Sequence, residues 1–362
     1  MPPFTYMAWP VRVLFGSGTV AELPQEIRRL GRQRALVLST PQQQAAALRL
    51  VEQLGTLAAG HYAGATMHTP VAVTEDALAL VSRIDADCIV SLGGGSTVGL
   101  GKALALRTDL PQIVIPTTYA GSEATSILGQ TVDGRKTTLR DPKVLPEVIL
   151  YDVDLTLTLP GPLTAVSGMN AIAHAVEALY AFDGNPVVSL LAEEGIRALA
   201  RALPRLATTP HDREARSDAL YGAWLCGSVL NAASMGLHHK LCHTLGGALD
   251  LPHAETHTVI LPHAARFNAG AAPEAMARIA RALGTADAAQ GLLDLAIALG
   301  APSSLAALGV READLDRLAA FAAAVPYPNP RPISEPSIRA LLGDAHRGAP
   351  LRPLADRNPA RA

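Results

Sequence analysis

Residues 236–253, GLHHKLCHTLGGALDLPH, hold His238, His239, His243 and His253, in a chain with 11 histidines among 362 residues. Imidazoles this dense do one of two things. Their neutral nitrogens ligate a transition metal, or the rings, which titrate near neutrality, carry protons. His239 and His243 are four apart, which on a helix puts both on one face, and Asn170 and His174 in SGMNAIAHAVEAL repeat that spacing. Polar groups converging from separate helices point to a site, because burying them unsatisfied is costly. His61, His68, His211 and His346 lack such company and read as core or surface residues.

A second chemistry sits earlier in the chain. In SLGGGSTVGLGKALAL (91–106) an apolar strand runs into three glycines, then Ser96 and Thr97, then a helix. Gly94, Gly95 and Ser96 there would let backbone N–H groups and a hydroxyl approach a phosphate at a helix N-terminus. The next strand ends in PTTYAGSEATS (116–126), where Thr117, Thr118 and Ser122 could bond ribose or carboxamide groups. Two polar loops after consecutive parallel strands predict one cleft at the carboxyl edge of a sheet. Downstream, TVDGRKTT (131–138) predicts a loop or hairpin carrying Arg135 and Lys136.

The elements that must position these residues divide the chain in two. RALVLST (34–40), DCIVSL (87–92), QIVIPTT (112–118) and VILYDV (148–153) are apolar on both faces, as parallel strands covered by helices are. VRVLFGSG adds a strand ending in a Gly turn, and QQQAAALRLVEQL and TEDALALVSRI carry helical periodicity. From about residue 160 strand signals fade and helices dominate. The expectation is a Rossmann-like α/β dinucleotide-binding domain over 1–158, an all-helical catalytic domain over 159–350 and a flexible tail over 351–362. A net charge of −2 offers no field for nucleic acid or an anionic membrane, and no apolar run is long enough to span one. Cys88, Cys226 and Cys242, odd in number and far apart, argue against a disulfide framework and for small buried residues in a cytoplasmic protein.

The motifs GGGST (93–97), TTYAGSE (117–123), DGRKTT (133–138), SGMNAIAHAVEALYA (167–181), LYGAWLCGSVL (220–230) and HHKLCHTLGGALDLPHAETHTVILPHA (238–264) together resemble the iron-containing (group III) alcohol dehydrogenase superfamily over nearly the whole chain. Within it they are most similar to the branch that reduces maleylacetate. The resemblance implies a dehydroquinate synthase-like architecture with a cleft between its halves. It implies that Gly94, Gly95 and Ser96 grip a pyrophosphate, that Thr117 and Thr118 line the path to the nicotinamide, and that Lys136 lies near the nicotinamide ribose. His174, His239 and His253 fall where metal-binding members keep three histidine ligands. Those members have an aspartate as fourth ligand, at the position held here by Asn170. A neutral amide is a far weaker ligand, so metal-independent catalysis is expected. Thr40 stands where NADH-preferring members often carry an aspartate, which leaves both NADH and NADPH open.

That resemblance implies reduction of a carbon–carbon double bond conjugated to a ketone, giving 3-oxoadipate during aromatic catabolism. Hydride entering β to the ketone would leave an enolate, less basic than an alkoxide and less in need of a metal. His174, His239, His253 and Asn170 are the expected surroundings of the enolate oxygen, and His243 the expected proton donor. Lys240, Arg135 and Tyr327 are candidates for holding the dicarboxylate substrate, and PYPNPR (326–331) adds Asn329 and Arg331. A homodimer, paired through an exposed strand near residues 10–15, is expected. The alternative is a metal-dependent alcohol dehydrogenase acting on an aldehyde or alcohol; a related lyase, turning over bound NAD⁺ without net consumption, is a further one.

Overall fold

The apolar runs pair side by side in parallel. The computed structural model describes residues 3–132, 135–348 and 350–351, with Val132, Arg135 and Lys136 described by backbone alone. The chain runs β1 (Arg12–Gly16), α1 (Leu23–Arg29), β2 (Ala35–Leu38), α2 (Gln44–Leu54), β3 (Ala58–Tyr62), α3 (Val71–Arg83), β4 (Cys88–Gly93), α4 (Gly95–Thr108), β5 (Gln112–Pro116), β6 (Ile127–Val132), β7 (Arg135–Arg140) and β8 (Val148–Asp152). Six strands form one parallel sheet in the order β1-β8-β5-β4-β2-β3. β6 and β7 make a separate antiparallel hairpin. Sequence patterning does not anticipate β3, whose AAGHY is half-buried at every position on a sheet edge.

Both faces of the sheet are covered, which is why its strands are apolar throughout. Val90, Leu92, Ile113 and Ile115 pack with Leu23, Ile27, Leu50 and Leu54 on one side, and Leu36, Leu38 and Ile89 pack with Ala77, Leu100 and Leu104 on the other. Beyond β8 the described residues hold helices only: α5 (Gly161–Leu179), α6 (Pro186–Thr208), α7 (Arg213–Ala232), α8 (Leu237–Leu249), α9 (His253–Asn268), α10 (Pro273–Leu283), α11 (Ala288–Ala298), α12 (Leu315–Ala323) and α13 (Glu335–Arg347). α5 is buried on every side from Thr164 to Ala178, the pattern of a central helix rather than an amphipathic one. Each fully buried side chain of its kind, such as Ile172, contributes roughly 1.5–3 kcal/mol. Ile149 and Tyr151 of β8 join the same core, so sheet and helices share one apolar interior.

Specific contacts fix α7 against the loop after β5. Gly121 has φ 79°, and a Cβ on Gly227 would lie 2.3 Å from the Gly121 carbonyl oxygen, so neither position admits a side chain without moving backbone. Asn231 Oδ1 accepts from both N and Oγ of Ser126 at 2.8 Å. Arg216, fully buried, donates to Tyr119 Oη at 3.0 Å and to Thr164 Oγ1 at 2.9 Å.

Candidate active site

The strand order makes the nucleotide cleft. From β2 the chain moves outward to β3, whereas from β4 it moves the other way to β5 and β8, so the loops after β2 and β4 diverge and leave a crevice at their carboxyl ends. Thr40 caps the turn after β2, and Gly94 caps α4 after β4. A Cβ on Gly94 would lie 2.7 Å from Thr118 Cγ2, and one on Gly95 would lie 4.0 Å from Ser122 Oγ. The glycine loop and the loop after β5 therefore face each other, closely at Gly94 and in ordinary contact at Gly95. Thr97 Oγ1 and Ser122 Oγ are buried there with no hydrogen-bond partner, while Thr117 Oγ1 accepts from Gln43 Nε2 at 2.8 Å. A helix N-terminus, small residues and unsatisfied hydroxyls are a fit for a pyrophosphate.

Lys102, which sequence reading does not single out, ties this cradle together. Its ammonium, buried under α4, donates to the carbonyls of Ser122 and Thr125 at 2.6 Å and of Ile127 at 2.9 Å. Burial pulls this lysine down to about 7. The side chains of Arg135 and Lys136 lie outside the described residues; their backbone opens β7 of the hairpin.

Helices α5, α8 and α9 bring the histidines together. His174 Nδ1 meets His239 Nε2 at 2.8 Å, His239 Nδ1 meets Glu177 Oε2 at 2.7 Å, and His174 Nε2 meets the Ala120 carbonyl at 3.2 Å. Glu177 is wholly buried, and its carboxylate also accepts the backbone N–H groups of Gly236, His238 and His239 at the start of α8. Burial alone would raise this carboxyl, yet the His239 hydrogen bond, the neighbouring imidazoles and the amides hold it at about 2.

Proton positions follow from the partners. A carboxylate and a carbonyl can only accept, so His239 Nδ1–H points at Glu177 and His174 Nε2–H points at Ala120. The facing nitrogens of the two rings share the contact between them. Burial, with His239 alongside, holds His174 well below the usual imidazole range. Asn170, one turn before His174, is buried with Oδ1 unpartnered.

The rest of the cluster leads outward. His243 lies one turn beyond His239, ring centroids 6.2 Å apart, and is exposed. His253 opens α9, stacks on His243 with ring centroids 6.3 Å apart and meets the His257 ring, tilted, at 4.3 Å. His238 and His257, absent from the sequence-based set, bond each other at 2.9 Å. The signals for them were present: His238 adjoins His239, and His257 is one helical turn after His253 in HAETH. Glu177 likewise is the lone charge in the apolar stretch AIAHAVEAL.

Lys240 turns to the Tyr327 ring, with Nζ 5.8 Å from its centroid, so these two substrate-binding candidates form a pair. Asn329 and Arg331 are otherwise engaged: Asn329 exchanges hydrogen bonds with Asn268, and Arg331 lies 4.2 Å over Phe267. The isolated histidines have ordinary partners, His61 with Ser39, His68 with Asp250, His211 with the Leu157 carbonyl and His346 with that of Val310.

Residues 10–153 match the family described as iron-containing alcohol dehydrogenase, and residues 164–346 match the C-terminal part of the Fe-containing alcohol dehydrogenase family. The maleylacetate reductase of Sphingobium indicum is 58% identical over 347 residues, covering 96% of this chain and 98% of its own. That of Pseudomonas knackmussii is 51% identical over 339 residues, covering 94% and 96%. Among solved structures, the maleylacetate reductase from Agrobacterium tumefaciens superposes with a TM-score of 0.94 at 60% identity, over 96% of this chain and 99% of the other.

Proposed function

Since the chain belongs to the iron-containing alcohol dehydrogenase family of NAD(P)-dependent oxidoreductases, we propose that it is the member that reduces the carbon–carbon double bond of maleylacetate to 3-oxoadipate, and that it does so without a metal. The relatives that carry this activity in their names match it along nearly their whole length. The observation that carries the metal-free reading is the neutral Asn170, buried one turn before His174.

The donor set fits a divalent metal poorly at the family's position. Asn170 offers a neutral oxygen where metal-binding relatives of the resemblance place a carboxylate, and a neutral amide is a far weaker ligand.

A nicotinamide, when bound, supplies the hydride. The cradle of Gly94, Gly95, Ser96, Thr117, Thr118 and Ser122, with Thr40 across the crevice, orients it towards the histidines. As hydride enters β to the ketone, negative charge develops on the ketone oxygen, and the hydrogen-bonded row of His239 and His174 stabilises it in a site already organised before the reaction. His253 and Asn170 complete the polar lining. His243, exposed at the mouth, delivers the proton to the α carbon and regains one from water. Lys240 with Tyr327, and Arg135, hold the two carboxylates, and Lys136 faces the nicotinamide ribose. Thr40 in place of a carboxylate leaves the 2′-phosphate of NADPH unopposed, so both NADH and NADPH serve.

Edge strand β1, paired only to β8, supports a homodimer through strand pairing. No helix among the described residues is long and apolar enough to cross a membrane, which with three unbridged cysteines supports a cytoplasmic enzyme acting on a small molecule. The experiment is NADH consumption with maleylacetate after exhaustive chelation. Undiminished turnover is expected; turnover that vanishes and returns with Fe²⁺ or Zn²⁺ would overturn the metal-free reading, and activity on simple aldehydes alone would overturn the substrate.

A further inference from the structure

Behind the row of His174 and His239 lies a second set of donors that the reduction does not use. His238 and Cys242 are one turn apart on α8, and His257 faces them from α9. Among the described residues these three form the one group of histidine, cysteine and carboxylate side chains whose candidate ligand atoms all lie within 4.8 Å of one another. All three are buried. We propose that His238, Cys242 and His257 form a thiolate–imidazole site for a thiophilic divalent cation, Zn²⁺ by its chemistry, and that filling it inhibits the enzyme.

The distances support it. Tetrahedral zinc, with nitrogen at about 2.0 Å and sulfur at about 2.3 Å, sets two nitrogens roughly 3.3 Å apart and nitrogen from sulfur roughly 3.5 Å apart. Here His238 Nε2 is 2.9 Å from His257 Nδ1 and 3.8 Å from Cys242 Sγ. Small ring movements of a few tenths of an ångström convert one geometry into the other. Little holds the rings back, since His238 Nδ1 and His257 Nε2 are buried with no hydrogen-bond partner. One sulfur with two imidazoles selects zinc over magnesium or calcium, which take oxygen. Binding releases the thiol proton to solvent and leaves a fourth position for water. The rings lack the outer hydrogen bonds that stiffen structural zinc sites, so the affinity is that of a reversible site.

Occupation reaches the reaction through His257, whose ring lies 4.3 Å from His253 and 4.9 Å from His239. An ion held by His257 displaces that ring and sets a positive charge beside His239. This inhibitory half rests on the metal-free reading above; the binding half does not.

The test is a Co²⁺ titration of the chelated full-length protein. One equivalent should produce a near-ultraviolet thiolate-to-cobalt charge-transfer band, lost in Cys242→Ser while reduction by that variant without metal is unchanged. Zn²⁺ should compete for the band, and its inhibitory concentration should rise at least about tenfold in Cys242→Ser. Absence of the band, or a cobalt spectrum that survives Cys242→Ser, would overturn the site; the latter would place the ion on His174, His239 and His253 and sink the metal-free reading as well. A cobalt band with no loss of turnover would overturn the inhibition alone.

Discussion

His174 and His243 each lie next to His239, one on α5 and the other a turn along α8, yet they live in different solvents. His174 is buried, and both of its nitrogens have fixed partners. His243 is exposed. Under the roles proposed above, the buried row stabilises the charge that develops on the substrate, and the exposed ring delivers the proton and regains one from solvent. These roles thus separate electrostatic stabilisation from proton delivery by depth.

The sharpest way to break this comparison is at its exposed end. His243→Ala should lower kcat by about 10²-fold or more, measured as NADH oxidation. A rise in KM with kcat intact would make His243 a binding residue and leave the proton to another group. At the buried end, Glu177→Gln keeps the shape and removes the anion. A fall in kcat of roughly 10- to 100-fold is expected, with KM little changed. A variant that melts earlier yet turns over normally would reduce the row to scaffolding.

The next effects concern the frame. Gly227→Ala forces α7 away from the Gly121 loop and should cost about 1–3 kcal/mol while raising KM for the nicotinamide cofactor more than for substrate. Stability below neutral pH gives the smallest and broadest effect. Burial lowers His263 to about 4 and His238 to about 3, against 6.5 for an open imidazole. The unfolded chain therefore binds more protons than the folded one between those values, and stability rises with pH there. Tm should be level above about pH 6.5 and fall steadily towards pH 4, with a shallower slope in His263→Phe; an unchanged slope would show that other groups carry the acid sensitivity.

Legibility in the sequence follows a physical divide. Strands β2, β4, β5 and β8 were readable because a doubly covered parallel strand must be apolar throughout, whereas the edge strand β3, half-exposed and carrying Gly60, leaves no such mark. That the glycine loop and the threonine loop lie side by side was readable because they follow consecutive parallel strands, β4 and β5. His239 and His243 were readable from helical spacing. Glu177, His238 and His257 carried local signals, but which partner each meets did not show, since spacing within one helix says nothing of the helix across from it. The ring contacts of His253 with His243 and His257 have the same origin.

The close approach of Gly227 to the carbonyl of Gly121 has a meaning for inheritance. Two main chains resting on each other set a spacing that no rotamer can relax and no larger residue can restore, so mutation can only spoil it. Side chains around it can be exchanged one for another, whereas the distance between α7 and the Gly121 loop can only be kept or lost.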